Sequence, residues 1–323
     1  MDWLAAPDAS LARVVLQRGL AAIYLVAFLN VVNQWVPLLG QRGLLPVPGF
    51  IERSSFATSP SLFHWRYSDR LAVGLGWVGI ALSAIAVAGI PDTWPTLATM
   101  LLWLVLWWLY LSYVNVGQIF YGFGWESLLT EAGFLAVLLG PADGAAPPVI
   151  VIWLFRWLLF RVEFGAGLIK IRGDDCWRDL TCLTYHHETQ PQPGLASWHF
   201  HHLPRWMHRV ETGANHVVQL GVPFLLLAPQ PVATVAGSAV LITQGWLVVS
   251  GNFAWLNATT MVLAASAFGD GTLERVLPLD PRSGAGEPAA WFGVLTLVLL
   301  ALVAWLSVPV VRNLLSRGQR MNA

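Results

Sequence analysis

The stretch WLFRWLLFRVEFGAGLIK, residues 153–170, decides how this chain is built. It is nearly as long and apolar as a helix through a bilayer, which needs about 20 largely apolar residues. Yet it carries Arg156, Arg161, Glu163 and Lys170. Charge within hydrocarbon is expensive and persists where it faces protein or water, so such a segment marks a working site. Arg156, Glu163 and Lys170 are spaced by seven, which returns each to nearly the same helical face. Beyond it the chain turns polar through Gly173-Asp174-Asp175-Cys176-Trp177-Arg178-Asp179-Leu180-Thr181-Cys182. Seven of its eight histidines then follow, between His186 and His216.

The rest of the chain supplies the membrane context. Its 323 residues are 56% hydrophobic and 11% charged, with 18 tryptophans, and the mean hydropathy is +0.60. A soluble domain carries roughly 25% charged residues, so this surface must meet lipid, the first partner the composition names. Eighteen acidic and eighteen basic residues cancel, which argues against nucleic acid as a partner. The first ten residues hold two Asp and no base, and no small-residue cleavage site follows the first apolar run. That run is therefore expected to stay as a span.

Candidate spans are 14–36, 71–90, 97–116, 125–141, 147–169, 213–229, 231–250, 252–269 and 289–311. The short runs 125–141, 213–229 and 252–269 set the expectation at eight to nine crossings. Breakers separate them at Pro37, Pro91, Gly122-Phe123-Gly124, Gly140-Pro141, Pro229-Gln230-Pro231 and Gly251-Asn252. The expected fold is an all-α polytopic bundle in which residues 1–323 form a single integral membrane domain. It carries two polar loops, 37–70 and the Cys/His-rich 170–212. Orientation meets a conflict. With nine spans and a cytoplasmic N-terminus, twelve Arg and Lys fall outside and four inside, opposite to the positive-inside rule.

Polar residues inside the spans gather on faces. Asn30, Asn33 and Gln34 form one patch, Asn115 and Gln118 a second, and Asn215, His216 and Gln219 a third. Glu126 and Glu131 are the expected partners of Arg156 and Arg161. Together with Glu163 these would form a buried charge network turned to the bundle interior. Such groups serve either as structural ion pairs and amide bonds or as the wall of a polar cavity near a membrane face.

The histidines invite a metal reading, yet no subset has the spacing of a known metal motif, so neither a metal nor a cofactor is expected. Trp198, Phe200, Trp206 and the prolines Pro191, Pro193 and Pro204 suggest an interfacial loop with aromatic anchors. Cys176 and Cys182 would pair in an oxidising lumen or stay free in a reducing compartment. Lys170, the sole lysine, is read either as a desolvated base or nucleophile or as a snorkelling interfacial cation. The expected functional loop comprises Asp174, Cys176, Trp177, Arg178, Asp179, Cys182, His186, Glu188, His201, His202 and His216. Lys170, His186 and His201 are the candidates for any catalytic role.

The run Arg156-Trp157-Leu158-Leu159-Phe160-Arg161 through Gly165-Ala166-Gly167-Leu168-Ile169-Lys170, then Cys176-Trp177-Arg178-Asp179-Leu180-Thr181-Cys182, resembles the lipase maturation factor family. The likeness extends through Tyr185-His186, Glu188-Thr189-Gln190-Pro191, His201-His202-Leu203-Pro204, Asn215-His216 and Ser250-Gly251-Asn252. Upstream it includes Tyr121-Gly122-Phe123-Gly124-Trp125-Glu126 and Ser61-Leu62-Phe63-His64-Trp65, so it covers about residues 60–270. The resemblance implies a polytopic membrane protein, of the endoplasmic reticulum in animals, that acts as a chaperone-like maturation factor for secreted lipases. A nascent exported lipase, or another secreted client, is then the expected partner.

Residue usage like that of a high-GC bacterium points instead to a bacterial plasma membrane. Two departures accompany the likeness. His187 stands where an aromatic is expected, and the chain stops before the polar C-terminal domain that family members usually carry. The family is also distantly similar to the vitamin K-dependent gamma-glutamyl carboxylase class. That similarity implies, as the alternative, an enzyme working at a polar intramembrane cavity.

Overall fold

A computed structural model describes residues 4–190, 192–278 and 289–316. Among these residues the regular structure is helical, with a single isolated bridge between Ala5 and Pro148. The principal helices are α1 (Ser10–Leu39), α2 (Asp69–Val87), α3 (Thr96–Val116), α4 (Gly124–Ala136) and α5 (Val149–Arg172). They continue with α6 (Leu183–Thr189), α7 (Arg205–His216), α8 (Val232–Ser250), α9 (Leu256–Ala264) and α10 (Ala290–Leu315). Five segments are long and apolar enough to cross a membrane: Pro7–Leu39, Asp69–Val87, Thr96–Val116, Val232–Ser250 and Ala290–Leu315. Their outward faces carry large apolar side chains such as Trp77, Leu101, Val235 and Trp305, which only lipid can cover at acceptable cost. The chain is an integral membrane protein.

The other four expected spans take different forms. α5, with 24 residues, is roughly 36 Å long, but its charges exclude it from the purely apolar set. α4 has 13 residues, and the chain turns beyond it at Gly140, whose φ of 74° suits glycine. α7 runs on through a π-helical turn at Val217–Gly221 into the short helix Val222–Leu225. α9 has nine residues, extended by a tight turn at Ala265–Ala267.

Hydrogen bonds sort the helix ends into two groups. At the first end Asp270 caps α1, accepting from the Ser10 and Leu11 N–H groups at 3.0 and 2.9 Å. Arg13 donates to the Ala142 and Ala145 carbonyls, Gln17 to Gly140, and Gln230 to Ala267. At the second end, Ser61 donates to the Ser112 carbonyl, Asn115 to Pro60, Gln118 to Leu45 and Ser197 to Ser250. The polar connection 37–70 is thereby folded down onto α3. The Cys/His-rich connection lies at the same end. It is itself helical, with turns at Asp175–Arg178 and Ser197–His201 besides α6 and the start of α7.

α1 is the central pillar, against which α2, α4 and α9 pack. Tyr24, Phe28 and Trp35 from α1 interlock with Trp103, Tyr110 and Tyr113 from α3 and with Phe63, mostly edge to face. Gly79 lets α2 approach α1, since a Cβ there would lie 2.5 Å from the Phe28 ring. Gly133 does the same for α4, where a Cβ would run into the Tyr24 hydroxyl.

Candidate functional site

A cavity of about 610 Å³ opens among α5, α6, α7, α8 and α9 near the second end. Its walls are largely apolar, with Val162, Leu203, Met207, Ile242 and Phe253 among them, and a few polar groups converge inside. That is the usual make-up of a small-molecule or chain-binding pocket.

Lys170 is the hub. Its Nζ donates to Asn215 Oδ1 at 2.8 Å and Gln219 Oε1 at 2.7 Å, and lies 5.3 Å from the Trp177 ring centre. Asn215 and Gln219 sit one turn apart, and the π-turn that carries Gln219 has a local cause. Pro223 has no N–H to offer the Gln219 carbonyl, so the regular ladder cannot continue. Two turns earlier on α5, Glu163 is fully buried and its Oε1 accepts from Gln244 Nε2 at 2.6 Å. Glu163 Oε2 is buried without a partner. Gly167 lies between these two charges, and a Cβ there would come within 2.7 Å of Leu220.

The Cys/His-rich segment roofs this hub. Asp174 caps the Asp175–Arg178 turn by accepting from the Cys176 N–H at 2.9 Å, and Asp179 closes the turn through its own N–H to the Asp175 carbonyl. Cys176 and Cys182 are joined as a disulfide, the bridged one of the two states, bridged or free, that the sequence left open. Leu180 between them takes φ 58°, a left-handed conformation unusual for leucine and held by the closed turn. His216 bonds the Trp177 carbonyl at 2.9 Å, tying roof to wall. Arg178 pairs with Asp175 on the outside.

Several expected residues separate from one another here. Lys170 and His186 line the cavity, but His201 lies outside it, 3.3 Å from Glu188. His202 is exposed and bonds the Trp198 carbonyl. The charge network expected from Glu126, Glu131, Arg156, Arg161 and Glu163 is not one network. Arg161 pairs with Glu131 through two bonds of 2.7 and 2.9 Å, as expected, but on an exposed face rather than inside. Arg156 turns away to the Ser266 carbonyl and stacks over Trp153. Glu126 accepts from Tyr110, and Glu163 belongs to the cavity. Residues five apart along a helix, as Glu126 and Glu131 or Arg156 and Arg161 are, point to different sides, so each meets a different neighbour. Of the three polar patches, Asn33 and Gln34 are exposed, Asn115 and Gln118 anchor the first loop, and Asn215 with Gln219 meets the cavity.

One grouping escaped the sequence. His187 from α6 meets His208 and Glu211 from α7, with one ligand atom from each within 4.8 Å of the others. His208 and Glu211, at i and i+3, were visible as one face of a helix; the third member came from a separate element. Burial, then the neighbouring His186 and His208, pushes His187 down to about 4. Burial also lowers His186, with the Lys170 charge adding to it.

Comparison with known proteins adds an independent line. Residues 11–275 match the family model described as the lipase maturation factor transmembrane domain. The chain is 40% identical to lipase maturation factor 1 of Bos taurus across 97% of its own length and 62% of the relative's. It is 41% identical to the Homo sapiens protein of that name, across 97% and 61%, and 33% identical to lipase maturation factor 2 of Rattus norvegicus, across 85% and 42%. The chain thus spans about three-fifths of the length of the first of these relatives. All three come from animals, so the bacterial expectation gains nothing from them. No solved structure matches the chain.

Proposed function

The chain belongs to the lipase maturation factor family, and on that premise we propose that it is a membrane-embedded factor assisting the folding of exported lipases. The family match over residues 11–275 carries this reading. The working face is the second end, where the roofed cavity opens with Trp206 in its lining and where Trp198 of the roof segment is also exposed. A nascent client offers unburied apolar segments, and an apolar cavity rimmed by exposed aromatics suits them.

The disulfide favours placing that end on the oxidising side of the membrane, in the reticulum lumen or outside a plasma membrane. Nine crossings are part of the proposal: α4, α5, the rod from α7 to Leu225, and α9 join the five apolar spans. The alternation of helix ends between the two hydrogen-bonded groups supports that count. Cysteine-accessibility mapping tests it, since an even number of crossings would put Ser10 and Ser316 on one side.

The cavity around Lys170 is the single observation that favours the second reading, an enzyme acting on a small or peptide substrate. A host lacking its own maturation factor, expressing a secreted lipase with this chain, decides between them. Restored lipase activity per secreted molecule supports the folding factor. No restoration, with the chain abundant in the membrane, removes it. Restoration that survives Lys170→Met assigns the cavity to binding, whereas loss in Lys170→Arg as well as Lys170→Met brings back the enzyme.

A further inference from the structure

Two side chains of the cavity wall, and a third packed behind it, have polar atoms that lack the partners their chemistry calls for. His187 is 3% exposed, and neither of its ring nitrogens has a hydrogen-bond partner. His208 is 1% exposed with Nδ1 unpaired, and Glu211 keeps Oε2 buried and unpaired. Each such atom costs stability unless something binds it. These three face one another, so one shared ligand would satisfy them together. From this geometry we propose that His187, His208 and Glu211 form a binding site for a divalent transition-metal ion, with Zn²⁺ the occupant the donor set suits best.

The donors are two imidazoles and one carboxylate. Mg²⁺ and Ca²⁺ prefer all-oxygen shells, whereas borderline ions such as Zn²⁺ accept mixed nitrogen and oxygen. α7 presents His208 and Glu211 one turn apart, and α6 lowers His187 onto them. The ligand atoms lie within 4.8 Å of one another, and His187 Nε2 is 3.9 Å from Glu211 Oε2. Bonds of about 2.0–2.1 Å in a tetrahedral shell put donors roughly 3.4 Å apart, so side-chain rotation and a closure of about an ångström complete the site.

The carboxylate is already oriented for this. Trp246 Nε1 donates to Glu211 Oε1 at 2.7 Å and leaves Oε2 to the histidines. Ligating carboxylates carry just such an outer hydrogen bond. His187 and Glu211 line the cavity, whereas His208 lies outside its lining, so the fourth position of a three-donor site faces the cavity. The ion would fasten the Cys/His-rich roof, through α6, to α7, whatever client the cavity meets.

The test uses the full chain, purified in detergent with a histidine-free tag, stripped with chelator and titrated with Zn²⁺ by calorimetry. About one equivalent should bind. Affinity should fall about 10-fold in Trp246→Phe and by about 100-fold or more in Glu211→Gln and His208→Asn. His199→Ala and His202→Ala, on the exposed side of the roof, should bind as the parent does. Thermal unfolding of the unmutated protein keeps the proposal testable if a variant misfolds: Zn²⁺ should raise its midpoint, and Co²⁺ should give visible tetrahedral absorption. No binding and no shift in the parent would overturn the site. So would an equivalent that persists in both Glu211→Gln and His208→Asn, or one lost on removing His199 or His202.

Discussion

The α1–α3 core and the cavity of α5 to α9 are built from similar residues and finished in opposite ways. In the core, the tyrosine hydroxyls of α1 and α3 each have a protein acceptor. Tyr24 donates to Leu129, Tyr113 to Ala72, and Tyr110 to Glu126. Around the cavity and its roof, Glu163, His187, Gln190, His201, His208, Glu211 and His216 each keep a buried atom unpaired. Burying an unpaired polar atom costs about 1–3 kcal/mol. On the core side Arg13 Nε and Ser83 Oγ are left in that state, so the scaffold is the more fully closed side and the cavity the one prepared for something else.

The contrast breaks most sharply through glycine. Gly133→Val drives a branched side chain into Tyr24, and overpacking of this kind costs about 3 kcal/mol. Gly165, on the cavity helix α5, has open space where a Cβ would go, so Gly165→Ala should gain about 0.5–1 kcal/mol of helix stability. Thermal unfolding in detergent should therefore move in opposite directions for the two variants. A parallel shift would mean that the core is no tighter than the cavity.

Acid should act on the cavity side through His187. His187 titrates near 6.5 when unfolded and about 4 when folded, so the folded state disfavours its proton. The stability it contributes is fully present above pH 6.5 and is lost as pH falls toward 4. In the metal-free protein the loss is on the order of 3 kcal/mol. His187→Phe should flatten the unfolding midpoint across that window. An unchanged slope would place the acid sensitivity elsewhere.

Much of this was legible in the chain, and what was not has a physical cause. Apolar runs reveal helices because burial in lipid is a property of composition, and the five apolar spans follow from it. The charged helix marked the cavity because Glu163 and Lys170 are unaffordable in lipid without water or partners. What stayed hidden depended on rotation about helix axes. Nothing local tells Arg156 to reach Ser266 while Arg161, five residues on, reaches Glu131. The meeting of His187 with His208 and Glu211 rests on the path of the roof, which turns and proline breaks set residue by residue.

A smaller effect separates the two halves by hydroxyl and amine. Tyr110→Phe leaves the buried Glu126 carboxylate without its donor and should cost about 2 kcal/mol. Lys170→Met also removes two hydrogen bonds, but Asn215 and Gln219 line a cavity that water can enter. Its cost should stay below about 1 kcal/mol. Equal losses in unfolding experiments would show the cavity to be as dry as the core.

The last difference is the smallest in stability and the most informative about function. Arg178 and Asp175 pair on the outer surface of the roof, with side chains 54% and 78% exposed. Exposed pairs contribute little, so Arg178→Ala should shift stability by less than about 0.5 kcal/mol and leave membrane abundance unchanged. If the roof is where a client docks, the same variant should lower secreted lipase activity severalfold in the complementation assay. A roof that only closes the cavity would lose nothing, because the disulfide and the His216–Trp177 bond hold it without Arg178. Unchanged secretion would therefore move the docking surface off the roof and into the cavity, where Lys170 and Glu163 remain.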